Sequence, residues 1–298
     1  MHIQRNYLRK ISMPVPAHLL AEDIPCIVTV YVALYLLADE VGLDWTRRQT
    51  SIEQLCKNAT FFNNDALRSR HYKAVMKAVM ELQKYGYVKL YDCPKDTKTM
   101  FAFDFTNDVL ACAKHYPQNG KNLFVPVMVV EYLFVWSALQ KSEECGCSKT
   151  TLLRIYLALR MYGEQWRYKH KEVGICTFVG YYNPVMALLG ISRATMCAGI
   201  KELKRLDLIT VTYAKHTVDE NDRRKDVITT IAVFNALCED KKPSEVIELA
   251  ELILDEEENK KVWYKPNMTA ASAKNDRVEN LRRMDTELDI LPDEDIEY

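Results

Sequence analysis

The nine cysteines of this chain include no C-x-x-C pair, their number is odd, and the opening MHIQRNYLRKISMPVPAHLL is too polar and proline-broken for a secretory apolar segment. These absences argue against a disulfide framework and predict reduced thiols in the cytoplasm. The longest apolar stretch, Cys26 to Ala38, is too short to span a bilayer. Catalytic signatures are missing as well. The chain has no G-x-x-x-x-G-K-S/T phosphate loop, no H-E-x-x-H, no G-x-S-x-G, and no His-x-His pair upstream of a distinguishable tyrosine nucleophile. A protein that is not an enzyme and uses no cofactor is expected. Cys145 and Cys147 in ECGCSK form a C-x-C without the second pair that a zinc site brings, so no metal is expected either. Cys56, Cys197 and Cys238 sit in apolar company and read as small core residues.

What is present is an uneven charge. Residues 1–238 hold 31 Lys+Arg against 23 Asp+Glu, a net of +8, and residues 239–298 hold 9 against 18, a net of −9. A basic body carries an acidic tail.

The body also repeats itself. VYVAL at 30–34 matches IYLAL at 155–159, MELQKYGYVKL at 80–90 matches KELKRLDLITV at 201–211, and MFAFDF at 100–105 matches TIAVF at 230–234, in the same order. The pairs Val15-Pro16 and Val125-Pro126 open the two halves. Unequal offsets place the length changes in loops and preserve the elements.

Each half reads alike. An apolar helix comes first, Ile24 to Glu40 or Leu152 to Gln165. A short second helix follows, begun by Ser51 with Gln54 in an S-x-x-Q box, or by NPVMALLG with Pro184 at an early position. A turn leads to a third helix, Ala66 to Tyr85 or Ser192 to Leu206. Two strands close the unit, YVKLYD with MFAFDF and LITVTYA with VITTIAVF. Gly190 suits the end of the second helix and Ser192 the start of the third. Met196, Ile200, Leu203 and Leu206 then face the core, leaving Arg193, Lys201, Lys204 and Arg205 outside. Helix, helix, turn, helix and hairpin is the order of a winged helix, whose third helix can enter a DNA major groove.

TSIEQLCKN followed by SRHYKAVMKAVMELQKYGYVKL, and NPVMALLGISRATMCAGIKELKRLDLI, resemble winged helix-turn-helix DNA-binding domains. VPAHLL followed by VYVALYLLADEVG resembles the N-terminal domains of plasmid and phage replication initiators. The expected fold is therefore α+β and mainly helical, with two tandem winged-helix domains bearing small antiparallel β-hairpin wings, plus a C-terminal helix and acidic tail. Domain boundaries are expected at 1–115, 116–238 and 239–298. The resemblance implies double-stranded DNA as the partner and replication initiation of a plasmid, phage or mobile element as the role. A transcriptional regulator, or a protein-interaction adaptor that binds no DNA, are the rival expectations.

Candidate DNA-binding residues follow from local charge. Between Trp45 and Lys89 there are nine Lys+Arg against three acids, an excess able to neutralise phosphates. In the first unit Arg68, Arg70, His71, Lys73 and Lys77 are candidates, the Arg and His for base edges and the lysines for the backbone. In the second they are Arg193, Thr195, Lys201 and Lys204 on the helix, with Arg223, Arg224 and Lys225 on a long wing loop from Lys215 to Asp226. Asp219, Glu220, Asp222 and Asp226 dilute that wing's charge. The rival expectation for unit two is that it supports a homodimer instead of contacting DNA. KKPSEVIELAELILDEEENKK predicts a helix capped at Ser244 with Val246, Leu249, Ala250 and Ile253 on one face. The rest of the tail, with a weak helix at 276–287, is expected to be flexible, its apolar residues (Leu288, Ile290, Leu291, Ile296, Tyr298) offering a docking surface for replication machinery.

Overall fold

A computed structural model describes residues 12–24, 26–39, 48–59, 69–105, 124–142, 147–220, 223–238 and 241–263, with the backbone alone described at 38–39, 48, 105, 172, 215–220, 223–228 and 256–263. The chain is mixed α+β, and among the described residues eight α-helices accompany small antiparallel sheets. Strand β1 (Ser12–Pro16) and a 3-10 turn (Ala17–Leu20) lead into α1 (Ile27–Asp39), β2 (Arg48–Thr50), α2 (Ile52–Ala59), α3 (Ser69–Lys84), β3 (Val88–Leu90) and β4 (Phe101–Phe105). Strand β5 (Phe124–Met128) and helix α4 (Val129–Gln140) lead into α5 (Lys149–Lys169), β6 (Thr177–Gly180), α6 (Asn183–Leu189), α7 (Arg193–Arg205), β7 (Ile209–Glu220) and β8 (Arg223–Phe234). Helix α8 (Pro243–Trp263) follows.

The internal repeat is therefore a repeat of topology. Helix, strand, helix, helix, strand, strand recurs, and the sheet orders are β2-β4-β3 and β6-β8-β7, with the last strand central each time. The third strand of each sheet is a departure from the expected two-stranded hairpin. Three residues, Arg-Gln-Thr, pair Thr50 with Phe101, and Thr177–Gly180 pairs Thr177 with Val233. Both strands are too short for an alternating pattern to declare them.

The repeat extends to single hydrogen bonds. At the end of α3, Tyr87 N donates to Leu82 O at 3.0 Å and Gly86 N to Gln83 O at 2.9 Å. At the end of α7, Leu208 N donates to Leu203 O at 3.0 Å and Asp207 N to Lys204 O at 3.0 Å, each residue 121 positions further on. This close needs a left-handed residue. Gly86 takes φ 75° and Asp207 φ 55°, the latter with Asn235 Nδ2 donating to its carbonyl at 3.1 Å and its carboxylate at 2.7 Å.

The helix ends read from Ser51, Ser192 and Gly190 are found as expected, whereas the apolar helices begin at Ile27 and Lys149 and not at Ile24 and Leu152. Gln54 N donates to Ser51 Oγ at 3.2 Å, and Thr195 N to Ser192 Oγ at 3.2 Å. Gly190 closes α6 at φ 61°. Ser192→Ala removes an acceptor from an exposed helix start, and a loss of about 1 kcal/mol in unfolding free energy is expected from urea denaturation. At α8 the helix begins one residue before the expected cap, with proline itself in the first turn; Val246, Ala250 and Ile253 are buried and Leu249 half-buried, as the spacing predicts.

The core is continuous from α1 to β8. Tyr31 and Tyr156, equivalent at the 125-residue offset, are both fully buried. Their hydroxyls donate to Pro14 O at 2.6 Å and Glu131 Oε1 at 2.9 Å. Gly163 of α5 lies so close to β6 that a Cβ there would stand 3.1 Å from the Phe178 nitrogen, so the strand's approach requires glycine. Arg154 of α5 reaches back to Leu20 O, with Nε at 2.7 Å, and also to Leu189 O at 3.4 Å.

The two halves meet edge to edge. β1 and β5 pair antiparallel with Val15 opposite Val125, Pro14 opposite Pro126 and Pro16 opposite Phe124. Because Val15 and Val125 are repeat-equivalent, the ladder is symmetric about that pair, as in an isologous contact. The chain divides into two compact units, Met1–Ala250 and Glu251–Tyr298. Both copies lie within the first, and of the second the described residues are 251–263, the later part of α8. No helix among the described residues is long and apolar enough to cross a membrane.

Candidate functional site

In each copy the third helix buries one face and leaves a cationic one outside. On α7, Met196, Ile200 and Leu203 are buried, while Arg193, Cys197, Lys201 and Lys204 are exposed at helical spacing. On α3, Val75, Ala78, Val79 and Leu82 are buried, and Arg70, Lys73 and Lys77 are exposed. None of Arg193, Lys201, Lys204, Lys73 and Lys77 forms an ion pair among the described residues. An unpaired surface cation is available to an anionic ligand at little desolvation cost.

The remaining candidates are placed differently. His71 is 9% exposed and turns into the buried set, receiving Arg70 Nε at 3.3 Å; it does not share the outer face with the lysines. Thr195 is half-buried and holds its hydroxyl 3.0 Å from Ser192 Oγ. Arg205, placed outside by the spacing but not among the candidates, is occupied by Glu202, with Nη2 2.7 Å from Oε1 and Nε 2.9 Å from Oε2. The Arg205 hydrogen bonds, and then that of Ser142, hold the Glu202 carboxyl below the usual carboxylate range. The expected wing loop is instead a ladder: β7 and β8 stay paired as far as Glu220 opposite Arg223, with Arg224 opposite Asp219 and Lys225 opposite Val218. Polar side chains on a two-stranded ribbon hide the apolar alternation by which a strand is read. Arg223, Arg224 and Lys225 thus stand on a strand and not in a loop, and their side chains lie outside the description. Arg68 and Cys145 lie outside the described residues, as do 276–287 and the apolar tail residues.

Cysteine placement corrects one expectation. Cys56 is buried and Cys238 half-buried, but Cys197 is exposed on the outer face of α7. Cys147 is buried, its thiol 3.5 Å from Thr195 O. The His170 ring lies tilted against Trp166, with centroids 4.5 Å apart. Among the described residues no cluster of His, Cys, Asp and Glu is arranged to hold a metal.

A feature the sequence did not reveal lies beside Arg193. Tyr181, Tyr182 and Asn183 at the start of α6, Met186, Arg193 and Met196 of the two helices, and Tyr213 and Thr230 of the ladder line a groove of about 550 Å³. An adjoining recess adds Ile200, Lys201 and Lys204. Tyr181 and Tyr213 are each 52% exposed. The residues come from α6, α7 and both strands of the ladder; Arg193, Lys201 and Lys204 were sequence candidates, whereas the tyrosines were not, and the doublet in GYYNP ahead of a helix is a local signal that could have pointed to them.

Beneath the second copy, a buried ionic cluster fixes the frame. Arg160 donates through Nε to Glu131 Oε1 at 2.7 Å, through Nη1 to Glu164 Oε1 at 2.6 Å, and through Nη2 to Pro126 O at 3.0 Å. It therefore joins α5 to α4 and to β5, while Arg167 binds the other Glu164 oxygen at 2.8 Å. No protein-family model, curated protein or solved structure matches the chain.

Proposed function

We propose that the protein is a tandem winged-helix protein that binds double-stranded DNA through the outer faces of α3 and α7. The observation that carries the reading is the recurrence, in two copies of one topology, of a helix whose outer face bears cations that form no ion pair among the described residues. A helix held on an apolar support and lined with Lys and Arg suits a major groove flanked by phosphates. The symmetric β1–β5 ladder adds a local two-fold relation between the copies, the arrangement by which dimeric DNA-binding proteins meet two half-sites. Marking a replication origin of a plasmid, phage or mobile element is the role we assign within this reading.

The test is the salt dependence of binding to labelled duplex DNA. A phosphate-contacting protein loses affinity linearly in log salt, by about 0.9 per neutralised phosphate. Affinity for random and genomic duplexes weaker than ~0.1 mM at low salt would dismiss the DNA reading in favour of a protein adaptor. Mapping bound genomic fragments then decides the role: iterated repeats beside the protein's own gene support initiation, and isolated promoters support transcriptional control. Arg70→Ala is expected to cost ~1–3 kcal/mol and relax preference at one base pair, whereas Lys77→Ala weakens all sequences alike.

A further inference from the structure

The second copy carries a lining that its own fold does not require. Between β6 and α6 stand Tyr181 and Tyr182, whereas between β2 and α2 the first copy has Ser51 alone. The 121-residue offset sets Asp92 where the second copy has Tyr213. Two half-exposed tyrosines thus flank a groove with Arg193 at its edge and Lys201 and Lys204 in the adjoining recess. Tyr182 stacks on Phe178 with centroids 6.0 Å apart and planes 11° from parallel, which fixes its ring as part of the wall. Its buried hydroxyl lies by Thr230 and Tyr213 without a hydrogen bond of normal geometry to either. Aromatic faces, a polar edge group and nearby cations describe a ligand that is planar, has hydrogen-bonding edges and carries negative charge.

A stacked duplex hides its base faces. An unpaired strand offers them, and stacking of bases on aromatic side chains beside a cationic track is how single strands are held without regard to sequence. We infer that the groove between α6, α7 and the β7–β8 ladder binds single-stranded DNA, with unpaired bases stacked on Tyr181 and Tyr213 and the phosphates tracked by Arg193, Lys201 and Lys204. The inference rests on the DNA-binding reading above and adds unpaired DNA as a second form that the second copy takes, beside the duplex met by the outer face of α7. The groove volume lies within the ~300–1,000 Å³ of small-ligand sites, which suits a base and not a duplex.

The experiment titrates the full chain against labelled oligothymidine of about 15 nucleotides, within the ~4–16 nucleotides of single-strand sites, and against a labelled duplex in the same buffer. Tyr213→Ala and Tyr181→Ala are each expected to weaken oligothymidine binding roughly 5- to 150-fold, and to weaken duplex binding by less. Tyr213→Phe keeps the ring and is expected to stay within about twofold of the unaltered chain. Photocrosslinking of 5-iododeoxyuridine oligonucleotides to the unaltered protein gives a readout independent of variant folding, with adducts expected at Tyr181 or Tyr213. Duplex binding without oligothymidine binding, alanine variants with unchanged oligothymidine affinity, or adducts confined to other residues would each overturn the inference and leave the duplex reading standing. Failure to bind either DNA would instead remove the reading beneath it.

Discussion

Replacing Arg160 with alanine is expected to lower the unfolding free energy by about 3–5 kcal/mol, the cost of leaving buried charge without its partner. Arg160, Glu131 and Glu164 are all nearly inaccessible to water, and the guanidinium satisfies both carboxylates together with the Pro126 carbonyl. Without it, Glu131 keeps Tyr156 and the Met128 amide as donors, and Glu164 keeps Arg167. Those neutral donors and a cation at the surface do not replace an internal one. The control is the combined change Arg160→Met, Glu131→Gln and Glu164→Gln, which removes all the charge together and is expected to cost less than the single alanine. Urea melts followed by far-UV circular dichroism measure both. A single alanine as stable as the unaltered chain would mean that the cluster contributes nothing to the frame.

The second large effect concerns the outer face of α7. Removing the charge at Arg193, Lys201 and Lys204 together is expected to reduce the log–log salt slope of duplex binding by about 3, at ~0.9 for each phosphate released. The same slope extrapolated to ~0.1 M salt makes each contact worth nearly tenfold, so the triple variant should bind roughly 10²- to 10³-fold more weakly. The matching triple change on α3, at Arg70, Lys73 and Lys77, distinguishes the copies. Met80, 41% exposed, occupies α3 where the repeat offset sets Lys201 on α7, so the two sets of three cations stand at different positions along their helices, and the set with the larger loss marks the helix that meets more phosphates. Equal and negligible changes from both sets would show that neither helix meets the phosphates.

The parts of the fold legible in the sequence are those governed by short-range chemistry. Ser51, Ser192 and Gly190 announce helix ends because one side chain or one backbone conformation suffices to make them. The apolar spacing of α7 was readable for the same reason, since Met196, Ile200 and Leu203 recur at helical intervals on its buried side. The strands β2 and β6 were not, because a three- or four-residue strand is fixed by its partner across the sheet and not by its own pattern. His71 follows a similar logic. Its inward turn depends on the rotation of α3, which begins among residues whose polarity carries no phase.

For the site the division is sharper. The exposed cations of α3 and α7 were legible as the complement of the buried stripe, but Arg205 was not distinguishable from Lys204 without knowing that Glu202 lies buried beside it. The tyrosine groove needed the ladder register that brings Tyr213 opposite Thr230. Nothing local to either residue implies that meeting.

The seam at Val15 and Val125 has a consequence for how such a molecule can change over time. Two identical subunits joined along that seam would be forced to carry every substitution twice, one on each side. Covalent fusion lifts that obligation: one side can accumulate tyrosines while the other keeps a serine, an aspartate and a methionine, and the shared ladder still holds them in register.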